Sequence, residues 1–161
     1  MENVARKAHI NIGSNIEPRL AHIGQAVSML KQLVDPFLKV SRPIETPPWG
    51  FTSPNDFMNV GVLISTPLPP SALQGLLQDI QSCIDPSPHR DEAGNYIDRK
   101  IDIDFIAMED EVITTPTLTL PHPRMSSREF VLLPMIELDP TWKHPLTDMT
   151  PLQMLSEINK S

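Results

Sequence analysis

Apolar residues fall in segments whose spacing changes from two to between three and four along the chain. Residues 8–12 form a short apolar run that ends at Gly13-Ser14-Asn15 and predicts a strand. Ile16, Leu20, Ile23, Val27, Leu30 and Val34 then recur every three or four positions, one face of a helix with Pro18 near its first turn. Asp35-Pro36 ends it. Residues 37–46 and 57–66 predict two further strands joined by a proline-rich loop. In the second, Met58, Val60, Val62 and Ile64 alternate with Phe57, Asn59 and Gly61. A second helix is expected from a cap at Ser71, carrying Leu73, Leu76, Leu77, Ile80 and Ile84. The polar stretch 89–99 lacks periodicity and reads as a mobile loop. Residues 101–108 alternate again, with Ile101, Ile103 and Phe105 on one face and Asp102 and Asp104 on the other. Short extended pieces near Val112 and Leu118, a helical segment over 125–136 and a last helix opened by Thr150-Pro151, with Leu152, Leu155 and Ile158, complete the pattern. The order β-α-β-β-α-β predicts an α+β ferredoxin-like sandwich: a largely antiparallel sheet with helices packed on one face and the other face open to ligands.

Composition narrows what such a fold can do. The chain has 161 residues, of which 40% are hydrophobic, enough to build a core in a single domain spanning 1–161. Its six glycines never approach the spacing of a glycine-rich phosphate loop, so any phosphate would be held by arginines and metal ions. A net charge of −7 without a basic cluster argues against nucleic acid or an anionic membrane as partner. One cysteine, Cys83, excludes an internal disulfide and fits a reducing compartment. No apolar run is long enough to span a bilayer and no signal peptide opens the chain, so a cytoplasmic protein is expected.

Chemistry enters with Asp102 and Asp104. Two residues apart on a strand, they share a face and can ligate a hard cation or a close pair of cations, although a solvated strand face would carry the same pattern. His122 is held between Pro121 and Pro123, which restrict its backbone. Arg124 and Arg128 lie nearby, and forked guanidinium groups beside metal carboxylates suit a polyphosphate, as surface ion pairing with Glu129 or Glu137 would also explain them. Phe57 and Asn59 share a strand face, a ring that can stack on a flat heterocycle beside an amide that can read its edge. Phe130 offers a second plate. Both rings could equally be packed in the interior.

These residues come in a fixed order: Gly13-Ser14-Asn15 with Arg19, Glu45-Thr46-Pro47-Pro48 with Gly50, Phe57-Met58-Asn59, then Arg99-Lys100-Ile101-Asp102-Ile103-Asp104. Pro121-His122-Pro123-Arg124-Met125 and Arg128-Glu129-Phe130-Val131-Leu132 with Pro134 follow. In this order the chain resembles the 6-hydroxymethyl-7,8-dihydropterin pyrophosphokinases of folate biosynthesis, from about residue 8 to residue 140. The resemblance implies diphosphate transfer from ATP to the pterin hydroxymethyl group, leaving AMP. It implies that Asp102 and Asp104 hold two magnesium ions, and that Arg99, His122, Arg128 and Arg90 act on the ATP phosphates. Thr46, Pro47, Trp49, Phe57, Asn59 and Phe130 would contact the pterin. Leu77, Gln81, Phe105, Leu118 and Thr119, with His122, Pro123 and Arg128, would bind ATP. The small-molecule partners would then be ATP and a reduced pterin, met by a monomer.

One region departs from the family pattern, which has an Arg-x-Arg pair after the second helix and a Trp-Gly-Pro-Arg run before the aspartate strand. Here only Arg90 stands for the pair, with Asp91 beside it, Tyr96 replaces the tryptophan, and Ile97-Asp98 replaces Gly-Pro. The alternative is therefore a pterin- or ATP-binding paralogue with weakened transfer, and the loop 89–98 is the feature that separates the two.

Overall fold

The computed structural model describes residues 4–48, 51–87, 91–93 and 97–160. Four strands, β1 (Arg6–Ser14), β2 (Lys39–Val40), β4 (Phe57–Thr66) and β5 (Asp102–Met108), lie in the order β2-β4-β1-β5, and β3 (Ile44–Thr46) also pairs with β4. Every pairing in this sheet is antiparallel. β6 (Ile113–Thr114) and β7 (Thr119–Leu120) form a separate two-stranded ribbon. The α+β class expected from the pattern is the one observed, and β4 occupies the residues that the alternation marked.

The alternation in β1 divides the molecule. Ala8, Ile10 and Ile12 face α1 (Arg19–Leu33) and α2 (Pro70–Ile84), forming a core with Ile23, Leu30, Leu73, Leu77 and Ile80. His9, Asn11 and Gly13 point the other way. Helices do not occupy one face alone, as the element order suggested. On the His9 side lie α3 (Glu129–Leu138) and α4 (Pro151–Asn159), whose Val131, Leu132, Met135 and Met154 form a second core with Ile106, Met125 and Trp142. The apolar run of α3 needs burial as much as the sheet does, and it takes part of the face expected to be free.

Other differences have local causes. Residues 37–46 are interrupted: Pro43 has no N–H to donate, while Ser41 exchanges hydrogen bonds with Gly61 through its backbone (2.9 Å) and its Oγ (2.8 Å). Phe37 lies outside the strands, exposed. α2 starts at Pro70, with Pro69 rather than Ser71 at the cap position and no side-chain cap, since the prolines preset the first turn. Leu20 and Leu152, read as inward-facing, are exposed, while Ala26 and Met154 take the inward positions. The expected helix over 125–136 is two pieces, a 3-10 turn Met125–Ser127 and α3, broken at Arg128, whose backbone is extended (φ −117°, ψ 103°). Thr150 caps α4 with a reciprocal Gln153 bond, as its sequence predicts. Among the described residues no helix is long and apolar enough to cross a membrane.

Candidate functional site

The register of the central strands sets two rows across one sheet face. Asp104 pairs with Asn11, which pairs with Gly61; Asp102 pairs with Gly13, which pairs with Asn59. Gly13 is required here, because a Cβ at this position would lie 2.7 Å from Asn59 Oδ1 and crowd Phe57. Its bareness lets the Asn59 amide lie across β1. Asn59 Nδ2 donates to Thr46 Oγ1 at 3.0 Å, joining the amide to β3.

Above these rows is a cavity of about 370 Å³ lined by Asn11, Thr46, Pro47, Phe51, Phe57, Asn59, Arg99, Asp102, Asp104, His122, Pro123, Arg124, Arg128 and Phe130. The break before α3 delivers Arg128 to it, and Pro134 helps to hold Phe130. A proline inside a helix leaves the carbonyl four residues earlier without its usual N–H partner. That carbonyl is Phe130 O, and Asn11 Nδ2 donates to it at 2.9 Å. Pro134 itself packs against Gly61, where a Cβ would overlap its ring.

The cavity pairs charge with aromatic surface. Arg99 Nη1 is 3.2 Å from Asp102 Oδ2, and Arg128 Nη1 is 3.9 Å from Asp104 Oδ2. The same guanidinium groups lie over the Phe57 ring (5.9 Å) and the Phe130 ring (5.6 Å). Burial, followed by the charge of Asp102, pushes the Asp104 carboxyl well above the ordinary carboxylate range. Such crowded carboxylates favour a bound cation, and these two are the donors available: no group of three or more His, Cys, Asp or Glu residues is poised for a metal among the described residues. Burial and the nearby Arg128 and Arg124 lower the pKa of His122 to about 4, so the ring is neutral at pH 7. Its Nδ1 accepts from Arg124 N at 3.2 Å, which leaves the proton on Nε2 as a hydrogen-bond donor.

Of the residues singled out in the sequence, the cavity thus unites Asp102, Asp104, Arg99, His122, Pro123, Arg124, Arg128, Thr46, Pro47, Phe57, Asn59 and Phe130. Trp49 and Arg90 lie outside the described residues. The five expected around adenine are not brought to it. Leu77, Phe105 and Leu118 belong to the first core, Gln81 Oε1 accepts from Ile103 N at 2.8 Å, and Thr119 lies in β7. Asn11 and Phe51 were not singled out. An amide between Ile10 and Ile12 was the available signal for Asn11, whereas Phe51 sits in a loop without periodicity.

The family model described as 7,8-dihydro-6-hydroxymethylpterin-pyrophosphokinase matches residues 9–140. Among curated proteins, the 2-amino-4-hydroxy-6-hydroxymethyldihydropteridine pyrophosphokinase of Porphyromonas gingivalis is 36% identical over 138 residues, 85% of this chain and 92% of that protein. The same-named proteins of Bacillus subtilis and Aquifex aeolicus are 37% and 33% identical, each over 86% of this chain, and 79% and 83% of theirs. Among solved structures, wild-type Plasmodium falciparum HPPK-DHPS with SDX-DHP superposes with a TM-score of 0.71 at 14% identity, a likeness of fold. It covers 99% of this chain, which spans only 45% of that longer protein.

Proposed function

The chain belongs to the 7,8-dihydro-6-hydroxymethylpterin-pyrophosphokinase family, and on that premise we propose that it transfers diphosphate from ATP to the hydroxymethyl group of 6-hydroxymethyl-7,8-dihydropterin, a step of folate biosynthesis. The observation that carries this reading is the composition of one cavity, which brings paired carboxylates and arginines together with two phenylalanine rings and an amide. The first set suits a metal-bound polyphosphate and the second a flat, polar-edged heterocycle.

In this reading the pterin lies against Phe57 and Phe130, with the Asn59 amide and Thr46 hydroxyl at its polar edge. Arg99 and Arg128 reach the phosphates, where bidentate contacts fix the chain of phosphorus atoms and favour the charge that builds in transfer. The neutral His122 donates its Nε2–H to a phosphate oxygen. The hydroxymethyl oxygen then attacks the β-phosphorus, the bond from that phosphorus to the α,β-bridging oxygen breaks, and its electron pair leaves on AMP while the hydroxyl proton is released. Asp102 and Asp104 would hold magnesium, for which two carboxylates beside phosphate oxygens are a fitting donor set. When bound, two such ions offset negative charge during the displacement.

The test is incubation with ATP, magnesium and the hydroxymethyl dihydropterin, followed by nucleotide chromatography. AMP should appear in step with pterin diphosphate; ADP as the product would overturn the reading. Asp102→Ala and Asp104→Ala should each reduce AMP formation by about 100-fold or more and weaken ATP binding in magnesium, while calorimetry still detects the pterin. Full activity in either variant would exclude that carboxylate as a metal ligand.

A further inference from the structure

Asp98 is neither a cavity-lining residue nor one of the proposed metal-ligand pair, yet side chains from two other segments, the end of β1 and residues 51–56, converge on it. One carboxylate oxygen accepts Asn15 Nδ2 at 2.7 Å and the other accepts Asn55 Nδ2 at 2.6 Å. Ser53 also hydrogen-bonds to this carboxylate. Asn15, buried at the end of β1, is bound in turn to the backbone of Arg99: its Oδ1 accepts Arg99 N at 2.7 Å and its N donates to Arg99 O at 3.2 Å. Asn15 Nδ2 reaches Asn55 O as well, at 3.2 Å.

Each tied segment touches the cavity. The 51–56 segment carries Phe51, which lines the cavity and meets the Phe57 ring edge-on at 6.2 Å. Arg99 pairs with Asp102 and lies over the same Phe57 ring. Residues 51–56 have no strand or helix to hold them, so side-chain bonds must supply their order. Hydrogen bonds to a charged acceptor are the stronger kind. Burial pushes the Asp98 carboxyl up, but the bonds from Ser53, Asn55 and Asn15 outweigh it and keep the group ionised. A proline at this position, as the family pattern has, would offer no side-chain acceptor.

From this geometry we infer that Asp98 is a positioning residue that latches the 51–56 segment, and with it Phe51, against Phe57 before the pterin binds. A wall set in advance removes an ordering cost from binding rather than from the chemical step. Loss of the latch therefore raises the pterin KM and leaves kcat near its original value. The inference rests on the pterin assignment above, and its test separates the two.

Calorimetric titration of 6-hydroxymethylpterin into the full chain, with magnesium and a non-hydrolysable ATP analogue present, compares the wild type with Asp98→Ala, Asn55→Ala and the double variant. Each single variant should weaken binding about tenfold, the order of one lost charge-assisted bond. The double variant should be no worse than Asp98→Ala alone, because the Asn55 side chain acts through the Asp98 carboxylate. Steady-state assays should show the same rise in KM, with kcat within about threefold. Unchanged affinity in Asp98→Ala, losses that multiply in the double variant, or a fall in kcat at constant KM would each overturn the latch. A wild-type chain that binds no pterin would instead overturn the functional reading itself, and the latch with it.

Discussion

His9 and Asp139 form a hydrogen-bonded pair outside the cavity lining, with Nε2 2.9 Å from Oδ2 and the His9 ring edge-on to Trp142. The hydrogen bond from His9 holds the Asp139 carboxyl below its ordinary range, more than burial raises it. A carboxyl depressed in the folded state stabilises the fold fully above its unfolded pKa, near 4, and loses that contribution as pH falls through the folded value. Asp139→Asn should therefore be less stable than wild type at pH 7, with the gap closing as pH falls below the ordinary carboxylate range. Urea midpoints at several pH values measure this, and a gap that stayed constant with pH would refute it. Residue types carried far in reading the site: Asp102 and Asp104 announced themselves by their spacing, and Phe57 and Asn59 by sharing a strand face. Asn11 did not, because its role depends on a carbonyl freed by Pro134, more than a hundred positions later. The five residues assigned to adenine rest on resemblance alone; three of them, Leu77, Phe105 and Leu118, lie in the first core.

At the scale of elements, the tightest constraint is the seating of α3 on β4. Gly61 leaves just the room that Pro134 occupies. Gly61→Ala would force helix and strand apart, at a cost of about 1–3 kcal/mol, since overpacking a closed contact strains both partners. Thermal unfolding should record the loss, and pterin binding should weaken with it because α3 carries Phe130. An unchanged melting temperature would show that the contact yields. Strong two-residue alternation made β4 legible to its ends, and the cap residue Thr150 marked the start of α4. The break at Arg128 was not legible. Apolar residues continue on both sides of it, and only the tertiary demand for an arginine in the cavity distinguishes the extended residue from a helical one.

The molecule as a whole is one main sheet between two cores; β5 contributes side chains to both, and β1 gives Ala8, Ile10 and Ile12 to the first and sets the His9 ring against Trp142 of the second. Elements that share strands in this way should lose structure together. With Trp49→Phe leaving Trp142 as the sole tryptophan, fluorescence reports the second core and far-ultraviolet circular dichroism reports the whole. Their urea transitions are expected to coincide. Separated midpoints would mean that α3 and α4 unfold as a unit of their own. The two-sided arrangement was the part of the architecture least visible in the sequence, since periodicity identifies an apolar helix face but not the side of the sheet that receives it.

β5, which carries both aspartates, also runs along a border of that sheet. A free strand border offers its amides and carbonyls to any other chain that meets it. Here Gln81 occupies the Ile103 N–H at 2.8 Å and His122 N occupies the Ile106 carbonyl at 2.7 Å. At the opposite border β4 is met by β2, two residues long and opening with a lysine, and by β3, three residues long. Intermolecular sheet growth thereby meets short strands at one margin and, at the other, a strand with two of its border groups already taken by its own chain.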